Sequence, residues 1–277
     1  MSQPLISIIT INRNNADGLR KTMQSVLSQT FDNYEYIIID GASTDSSVEV
    51  IKSFVEDPKN ADKVGYWVSE PDRGIYNAMN KGISRASGEW TIFLNSGDCL
   101  INDEVLTKVS SHLRQEYDIV SGVQQYDYGG KFSGLEEYDT YTFILEYGFP
   151  HSSSFIRKIL FEKYGYYDES YRIISDWMFF YITIVKNRVP FKIISEVVSL
   201  FDTTGISSVN SDAIQQEKIR FCESEFTHLE NELFNKIRAL QDSEEYKMGC
   251  YIKNSKFRFI YEILRKLGEF KNRKKKK

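Results

Sequence analysis

The stretch TIFLNSGD, Thr91 to Asp98, starts as a buried strand and ends on side chains that no core accepts. Thr91 to Leu94 are β-branched or bulky and apolar, which suits a pleated, packed surface. Asn95, Ser96, Gly97 and Asp98 are polar or backbone-permissive, the ordinary material of a turn. Taken alone, the stretch is a strand and a turn. Its meaning depends on what stands at the ends of the neighbouring strands.

Three further strand-like runs precede it, Leu5 to Ile11, Tyr34 to Asp40 and Gly65 to Ser69; Trp90 to Leu94 is the fourth. Between them the apolar residues fall at helical spacing. Leu19, Met23, Val26 and Leu27 form one stripe. Val48, Ile51, Phe54 and Val55 form a second, and Ile75, Ala78, Met79, Gly82, Ile83 and Ala86 a third. Strand and helix alternating at this pitch imply parallel strands joined by crossover helices. Ligands of such sheets bind beyond the carboxyl ends of the strands.

The residues at those ends are Asn12-Arg13-Asn14, Asp40 to Asp45, Glu70-Pro71-Asp72-Arg73-Gly74, and Asn95 to Asp98. Each could be a turn or a cap; Asp45 or Ser46, for instance, would cap the helix that carries Val48. Four on one rim point to a cleft rich in hydrogen-bond acceptors. The first strand is not followed by G-x-G-x-x-G, which argues against a dinucleotide site of the usual kind.

Beyond Asp98 the pattern loosens. Val105, Leu106, Val109 and Leu113 predict a helix, Asp118 to Val123 a strand, and Gly129-Gly130 a hairpin within Tyr126 to Phe132. Pro150 to Ser154 reads as a polar loop, Asp176 falls near a helix start, and Phe191 to Leu200 reads as a pair of strands. From about Ser211 the chain is helical and charged.

With 41% hydrophobic and 14% aromatic residues the composition is that of a globular protein. Cys99, Cys222 and Cys250 lie far apart, which argues for a reducing compartment and against a disulfide framework. Leu5 to Ile11 is too short for a secretory signal, and Trp177 to Val185 too short to span a bilayer. A cytoplasmic protein is expected. Charge is unevenly placed: Lys253 to Lys277 carries eleven Lys and Arg against Glu262 and Glu269, a net +9 that leaves −13 for residues 1–252 of a chain summing to −4. An acidic body with a basic tail is not the footprint of a nucleic-acid-binding domain.

Four segments carry a family pattern in order: ISIITINRN (Ile6–Asn14), IIIDGASTDSS (Ile37–Ser47), SEPDRGIYNAMNKGISRASGEW (Ser69–Trp90) and FLNSGD (Phe93–Asp98). Weaker matches follow in PHSSSFIRK (Pro150–Lys158), GYYDESYRIISDW (Gly165–Trp177) and TTGISS (Thr203–Ser208). From Leu5 to Ser208 the chain resembles the family 2 glycosyltransferases of GT-A fold, an inverting family that builds bacterial polysaccharides. Within it the chain resembles the colanic-acid, capsule and O-antigen transferases.

The resemblance implies an α/β fold with a mostly parallel, Rossmann-like central sheet flanked by helices. Residues 1–120 would form a nucleotide-sugar-binding half, 121–210 the acceptor-side half of the same domain, and 211–277 a helical extension with the basic tail. It implies that Thr10, Asn12 and Arg13 line the nucleotide pocket, that Asp40 hydrogen-bonds the base, and that Asp72, Arg73, Gly74, Asn80, Lys81, Ser96 and Gly97 lie along the nucleotide sugar. Asp98 would bind a divalent metal, Mn or Mg, Asp176 would be the catalytic base, and His151 and Ser207 would stand near the acceptor or the diphosphate. The chain departs from the common pattern in two places. An acid is more usual where Asn95 stands and another at Gly97, and related chains often carry Asp where Asn77 stands.

One carboxylate suffices for such a metal if substrate phosphates complete its shell. The expected partners are a nucleoside-diphosphate sugar and a glycan or lipid-linked acceptor. Phe257, Ile260, Leu264 and Leu267 at helical spacing among lysines suit either peripheral contact with the inner face of the cytoplasmic membrane or a helix packed on the body, in a homodimer or within one chain. Two other functions fit parts of the pattern. A nucleotidyltransferase would carry a Gly-rich basic loop where Asn12 to Asn15 stand, and a catalytically inactive sugar-nucleotide-binding partner would account for the reduced acid motif.

Overall fold

A computed structural model describes residues 3–60, 62–132, 148–205 and 211–226. β1 (Ile6–Asn12) is buried at all seven positions, as a strand with both faces covered must be. It pairs in parallel with β2 (Tyr34–Asp40) and, on its other side, with β4 (Trp90–Phe93); β2 pairs in parallel with β3 (Val64–Ser69). The crossovers are α1 (Ala16–Leu27), α2 (Ser47–Val55) and α3 (Ile75–Arg85). Alternation along β1 decides which crossover packs where. Ile6 and Ile8 join Leu19, Met23 and Val26 of α1 in one core cluster, while Ile9 and Ile11 join Met79 and Ile83 of α3 in the other.

The four predicted strands and three predicted helices thus form where their apolar spacing places them. Asp45 caps α2 although Ser46 occupies the cap position: Asp45 Oδ1 accepts the Ser47 N–H at 3.0 Å. Past β4 the sheet becomes mixed, in the order β3-β2-β1-β4, then β8 (Ser154–Arg157), β6 (Ile119–Tyr126), β9 (Phe191–Phe201) and β5 (Cys99–Leu100). β8 runs antiparallel to both β4 and β6, and β6 pairs in parallel with β9. The short β5 closes that edge against β9. β7 (Lys131–Phe132) folds back on β6 as the Gly129-Gly130 signal predicts.

β9 corrects an expectation. Phe191 to Leu200 is one strand of eleven residues through Phe201 and not a pair. Polar Ser195-Glu196 interrupts the apolar run, and the interruption is absorbed by register shifts against β6 between Ser121 and Gln124. Such irregularities bend a strand without ending it. The helix at Val105 stops at Ser110, short of Leu113. Pro150 to Ser154 contributes one 3₁₀ turn, His151–Ser153, before β8 begins.

The division of the chain into compact units falls between Lys218 and Ile219. The first unit holds all nine strands of the described residues. The helical reading from Ser211 holds through Glu225. The basic tail, Lys253 to Lys277, lies outside the described residues. Among the described residues no helix is long and apolar enough to cross a membrane.

Candidate active site

The chain leaves β1 for β2 and β3 on one side and returns to β4 on the other, so the connections diverge at the carboxyl ends of β1 and β4. A cleft of about 430 Å³ opens there, lined by Asn12, Arg13 and Asn15 after β1 and by Asn95, Ser96 and Asp98 after β4. Asp72 and Gly74 close it from the β3 side, Arg172, Asp202 and Thr204 from the second half of the chain. An adjoining cleft of about 490 Å³ shares Arg13, Asp72, Gly74 and Arg172 and extends to Arg73, Tyr76, Asn77 and Glu169.

Asp40 is fully buried and holds three strand ends together. Its Oδ1 accepts from Asn12 Nδ2 at 2.7 Å and from the Ser43 hydroxyl at 2.5 Å; its Oδ2 accepts from the Ser43 N–H at 3.0 Å and the Ser69 hydroxyl at 2.6 Å. Burial pushes its pKa up, but these donors outweigh burial and leave the carboxylate below its ordinary range. Its oxygens are thus committed to the protein. Asn12, 4% exposed, keeps one buried atom without a partner, Oδ1. Thr10 does not reach the cleft: it is fully buried and its hydroxyl shares a 2.9 Å hydrogen bond with the Tyr36 hydroxyl.

After β3, Asp72 Oδ1 accepts the Gly74 N–H at 3.0 Å. Gly74 has φ +130° and ψ 176°, a conformation that glycine reaches without a Cβ penalty. Arg73 Nη2 donates to Glu169 Oε2 at 2.7 Å, and the same carboxylate accepts from Asn77 Nδ2 (3.0 Å) and Asn80 Nδ2 (3.2 Å). Burial raises the Glu169 pKa, but these donors prevail and hold it low. Asn77 also accepts the Arg73 N–H at 3.1 Å, so an amide at this position bridges a donor and an acceptor where an aspartate would face Glu169 with a second charge.

Asn80 and Lys81 line neither cleft. The Asn80 amide brackets Tyr167, donating to its carbonyl and accepting its N–H. Lys81 Nζ donates to the Pro71 carbonyl at 2.9 Å and pairs with Glu70 at 2.7 Å. Both fasten loops that carry cleft residues.

At the end of β4, Asp98 is 4% exposed. Its N–H closes a turn onto the Asn95 carbonyl, and its Oδ1 accepts the Asp202 N–H at 2.9 Å. Burial pushes its pKa up to about 7, with the charge of Asp202 acting in the same direction. Gly97, at φ +112°, permits this contact: a Cβ there would stand 2.3 Å from Asp202 Oδ2. Ser96 presents its carbonyl to Asn15 Nδ2 at 3.0 Å, which ties the turn after β1 to the turn after β4. Asn95 Oδ1 is buried and has no partner.

Asp176 lies in the first turn of the helix Ser175–Phe180, whose cap position is Ile174. Its Oδ1 accepts the Tyr76 hydroxyl at 2.8 Å, so it meets the adjoining cleft through Tyr76. His151 stacks on Phe93 at 4.7 Å, and its Nε2 shares a 2.9 Å hydrogen bond with the Tyr167 hydroxyl. Burial lowers its pKa against the opposing charge of Asp176, which favours the neutral ring. Ser207 lies outside the described residues.

The structure therefore gathers Asn12, Arg13, Asp72, Gly74, Ser96 and Asp98 in one cleft and adds polar residues that the sequence analysis missed, among them Asn15, Arg172, Asp202 and Thr204. Asp202 obeys the strand-end rule only once the pairing of β8, β6 and β9 is known. β9 runs with β6, both opposite to β8 and hence with β4, so its carboxyl end stands on the same rim. Arg172 carries no local signal, since its place depends on how the second half of the chain folds back. Among the described residues no group of three or more His, Cys, Asp or Glu is set as a metal site; the cleft offers the pair Asp98 and Asp202.

The family model for Glycosyl transferase family 2 matches residues 7–181. An uncharacterized glycosyltransferase of Mycobacterium tuberculosis is 33% identical over 214 residues, 75% of this chain and 78% of that protein. S. aureus TarS 1–349 in complex with UDP-GlcNAc superposes with a TM-score of 0.64 at 15% identity, covering 90% of this chain and 76% of that one; the chain spans 44% of a longer S. aureus TarS. A mannosyltransferase from Pyrobaculum calidifontis in complex with GDP-Man and Mn2+ gives a TM-score of 0.57 at 14% identity, with 89% and 83% covered. The mixed sheet flanked by helices is the GT-A glycosyltransferase fold, and the chain belongs to glycosyl transferase family 2.

Proposed function

We propose that the chain transfers a sugar, with inversion, from a nucleoside-diphosphate sugar bound in the 430 Å³ cleft to a hydroxyl of a growing bacterial glycan. The observation that carries this reading is the pairing of two guanidinium groups, Arg13 and Arg172, with the buried carboxylate of Asp98 on one cleft at the divergence of β1 and β4. Guanidinium groups suit phosphate oxygens in charge and in fork geometry. The complexes of related folds with UDP-GlcNAc and with GDP-Man and Mn2+ support a donor of this class.

Asp98 fits a divalent cation. The Asp98 carboxylate is buried, with only backbone N–H groups donating to it among the described residues, and the unpartnered Asn95 Oδ1 is a second hard donor in the same loop. Such a cation, when bound, stabilises charge on the leaving diphosphate. The protein's own share is positional. Arg13 and Arg172 hold the diphosphate from two sides, and Asp72 and Gly74 shape the wall between the two clefts. The Tyr76 hydroxyl fixes Asp176 through Oδ1 and leaves Oδ2 to accept the proton of the attacking acceptor hydroxyl. His151, kept neutral beside it, adds no competing charge. A lipid-linked acceptor is supported by the basic tail of the sequence.

The test is donor turnover against an acceptor pool. Asp176→Asn should retain nucleotide binding and lose transfer by roughly 10²-fold or more, the scale of a general base. Wild-type turnover in Asp176→Asn would remove the base from Asp176.

A further inference from the structure

The loop after β4 carries a single carboxylate, and the structure brings a second one to it from far along the chain. Asp202 ends on the rim because β9 runs in the direction of β4, and its N–H fixes Asp98 Oδ1 at 2.9 Å. Its own carboxylate is divided between two tasks. Oδ1 accepts from the Thr204 N–H at 2.8 Å and the Thr204 hydroxyl at 2.7 Å. Oδ2 lies over Gly97, in the space that a Cβ would fill.

A side chain at position 97 could not stand here beside Asp202 without displacing it. Asp98 and Asp202 both line the cleft, as does Asn95 with its buried, unpartnered Oδ1. Two carboxylates on one rim repel each other when both are ionised, unless something positive joins them. Two carboxylate oxygens and an amide oxygen are hard donors. Mg or Mn takes one or two carboxylates and leaves the rest of its shell to phosphates and water.

We propose that Asp202 is the second protein carboxylate of the cation site, supplied from the end of β9 to a loop after β4 that carries one carboxylate of its own. The inference rests on the metal-assisted donor reading above and adds a residue to it. In this arrangement Thr204 positions Asp202, and Gly97 is the gap through which the two loops meet. The site then joins the two halves of the sheet, because its ligands come from β4 and from β9.

The experiment is Mn2+ titration of the full chain, read by the electron paramagnetic resonance of free aqueous Mn2+, with UDP, GDP or dTDP present as the phosphate donor. Asp202→Asn keeps the Oδ1 acceptor for Thr204 and removes only the charge. It should weaken Mn2+ binding at least ~10-fold, the loss that even an outer-shell partner of a metal brings. Nucleotide binding without Mn2+ should stay as in wild type, and Asp202→Glu should recover part of the Mn2+ affinity. If Asp202→Asn does not melt cooperatively, Asp202→Ser takes its place with the same expectation. Wild-type Mn2+ affinity in the neutral variant, beside loss in Asp98→Asn, would overturn the role of Asp202 and leave the donor reading standing. Absence of Mn2+ binding by the wild type with all three nucleotides would overturn the donor reading itself.

Discussion

Asp98 is buried against a second carboxylate and retains its proton up to about pH 7. A carboxyl whose folded pKa lies above its unfolded value of roughly 4 favours the folded state most at low pH. That advantage falls as pH rises between the two values, and above about 7 the ionised group has lost it entirely. Asp98→Asn should therefore melt higher than wild type at pH 8 and close to wild type at pH 5, with roughly 2–4 °C for each kcal/mol recovered in a chain of this size. The same variant should lose Mn2+-dependent nucleotide binding. A residue that stabilises the fold when neutralised and serves the site only when charged is the stability–activity conflict expected of a functional carboxylate. Equal melting at both pH values would show that Asp98 is not under this burial stress. Asp40 is the opposite case, a carboxylate with four donors whose pKa is held down. Its contribution is present above the unfolded carboxylate range and is lost as pH falls through its lower folded value. Asp40→Ala strands the amide and hydroxyls of Asn12, Ser43 and Ser69 and should cost about 2–4 kcal/mol in denaturant melts at neutral pH.

At the level of elements, the turns after β3 and β4 are built on two glycines with positive φ, and they should respond differently to a methyl group. Around Gly74 there is open space, so Gly74→Ala meets only the backbone penalty, about 1–3 kcal/mol. At Gly97 the methyl group also meets Asp202 Oδ2, so Gly97→Ala should destabilise more and should move the loop after β9 as well. Similar melting of the two alanine variants would contradict the close approach of Asp202. The elements that were legible in the sequence are those with one clean period: β1 to β4 by continuous apolar runs, α1 to α3 by their stripes. β9 was misread because Ser195-Glu196 breaks its run, and a bulge is indistinguishable from a turn until the partner strand is known. Asn80 and Lys81 match the family motif yet act as loop fasteners, a distinction that spacing along one helix cannot make.

For the whole molecule, the half-site formed by β1, β3 and β4 could be read from the ends of consecutive strands. The other half could not, because Arg172 and Asp202 reach the cleft only through the mixed pairing of β8, β6 and β9. The basic tail adds a claim that the fold does not touch. If it holds the enzyme to an anionic membrane, the full chain should float with vesicles containing acidic lipid, and a chain ending at Lys253 should not; equal recovery would overturn membrane contact and favour a tail packed on the body. The central claim, a nucleoside-diphosphate sugar site completed by a cation at Asp98, is most directly tested by thermal shift of the wild type with UDP, GDP and dTDP, each with and without Mn2+. Ligand stabilisation grows with the logarithm of concentration over affinity, so weak binding still registers. The account predicts that at least one nucleotide raises Tm, that Mn2+ enlarges the shift, and that Asp98→Asn abolishes the Mn2+ increment; no shift with any nucleotide, with or without Mn2+, would contradict it.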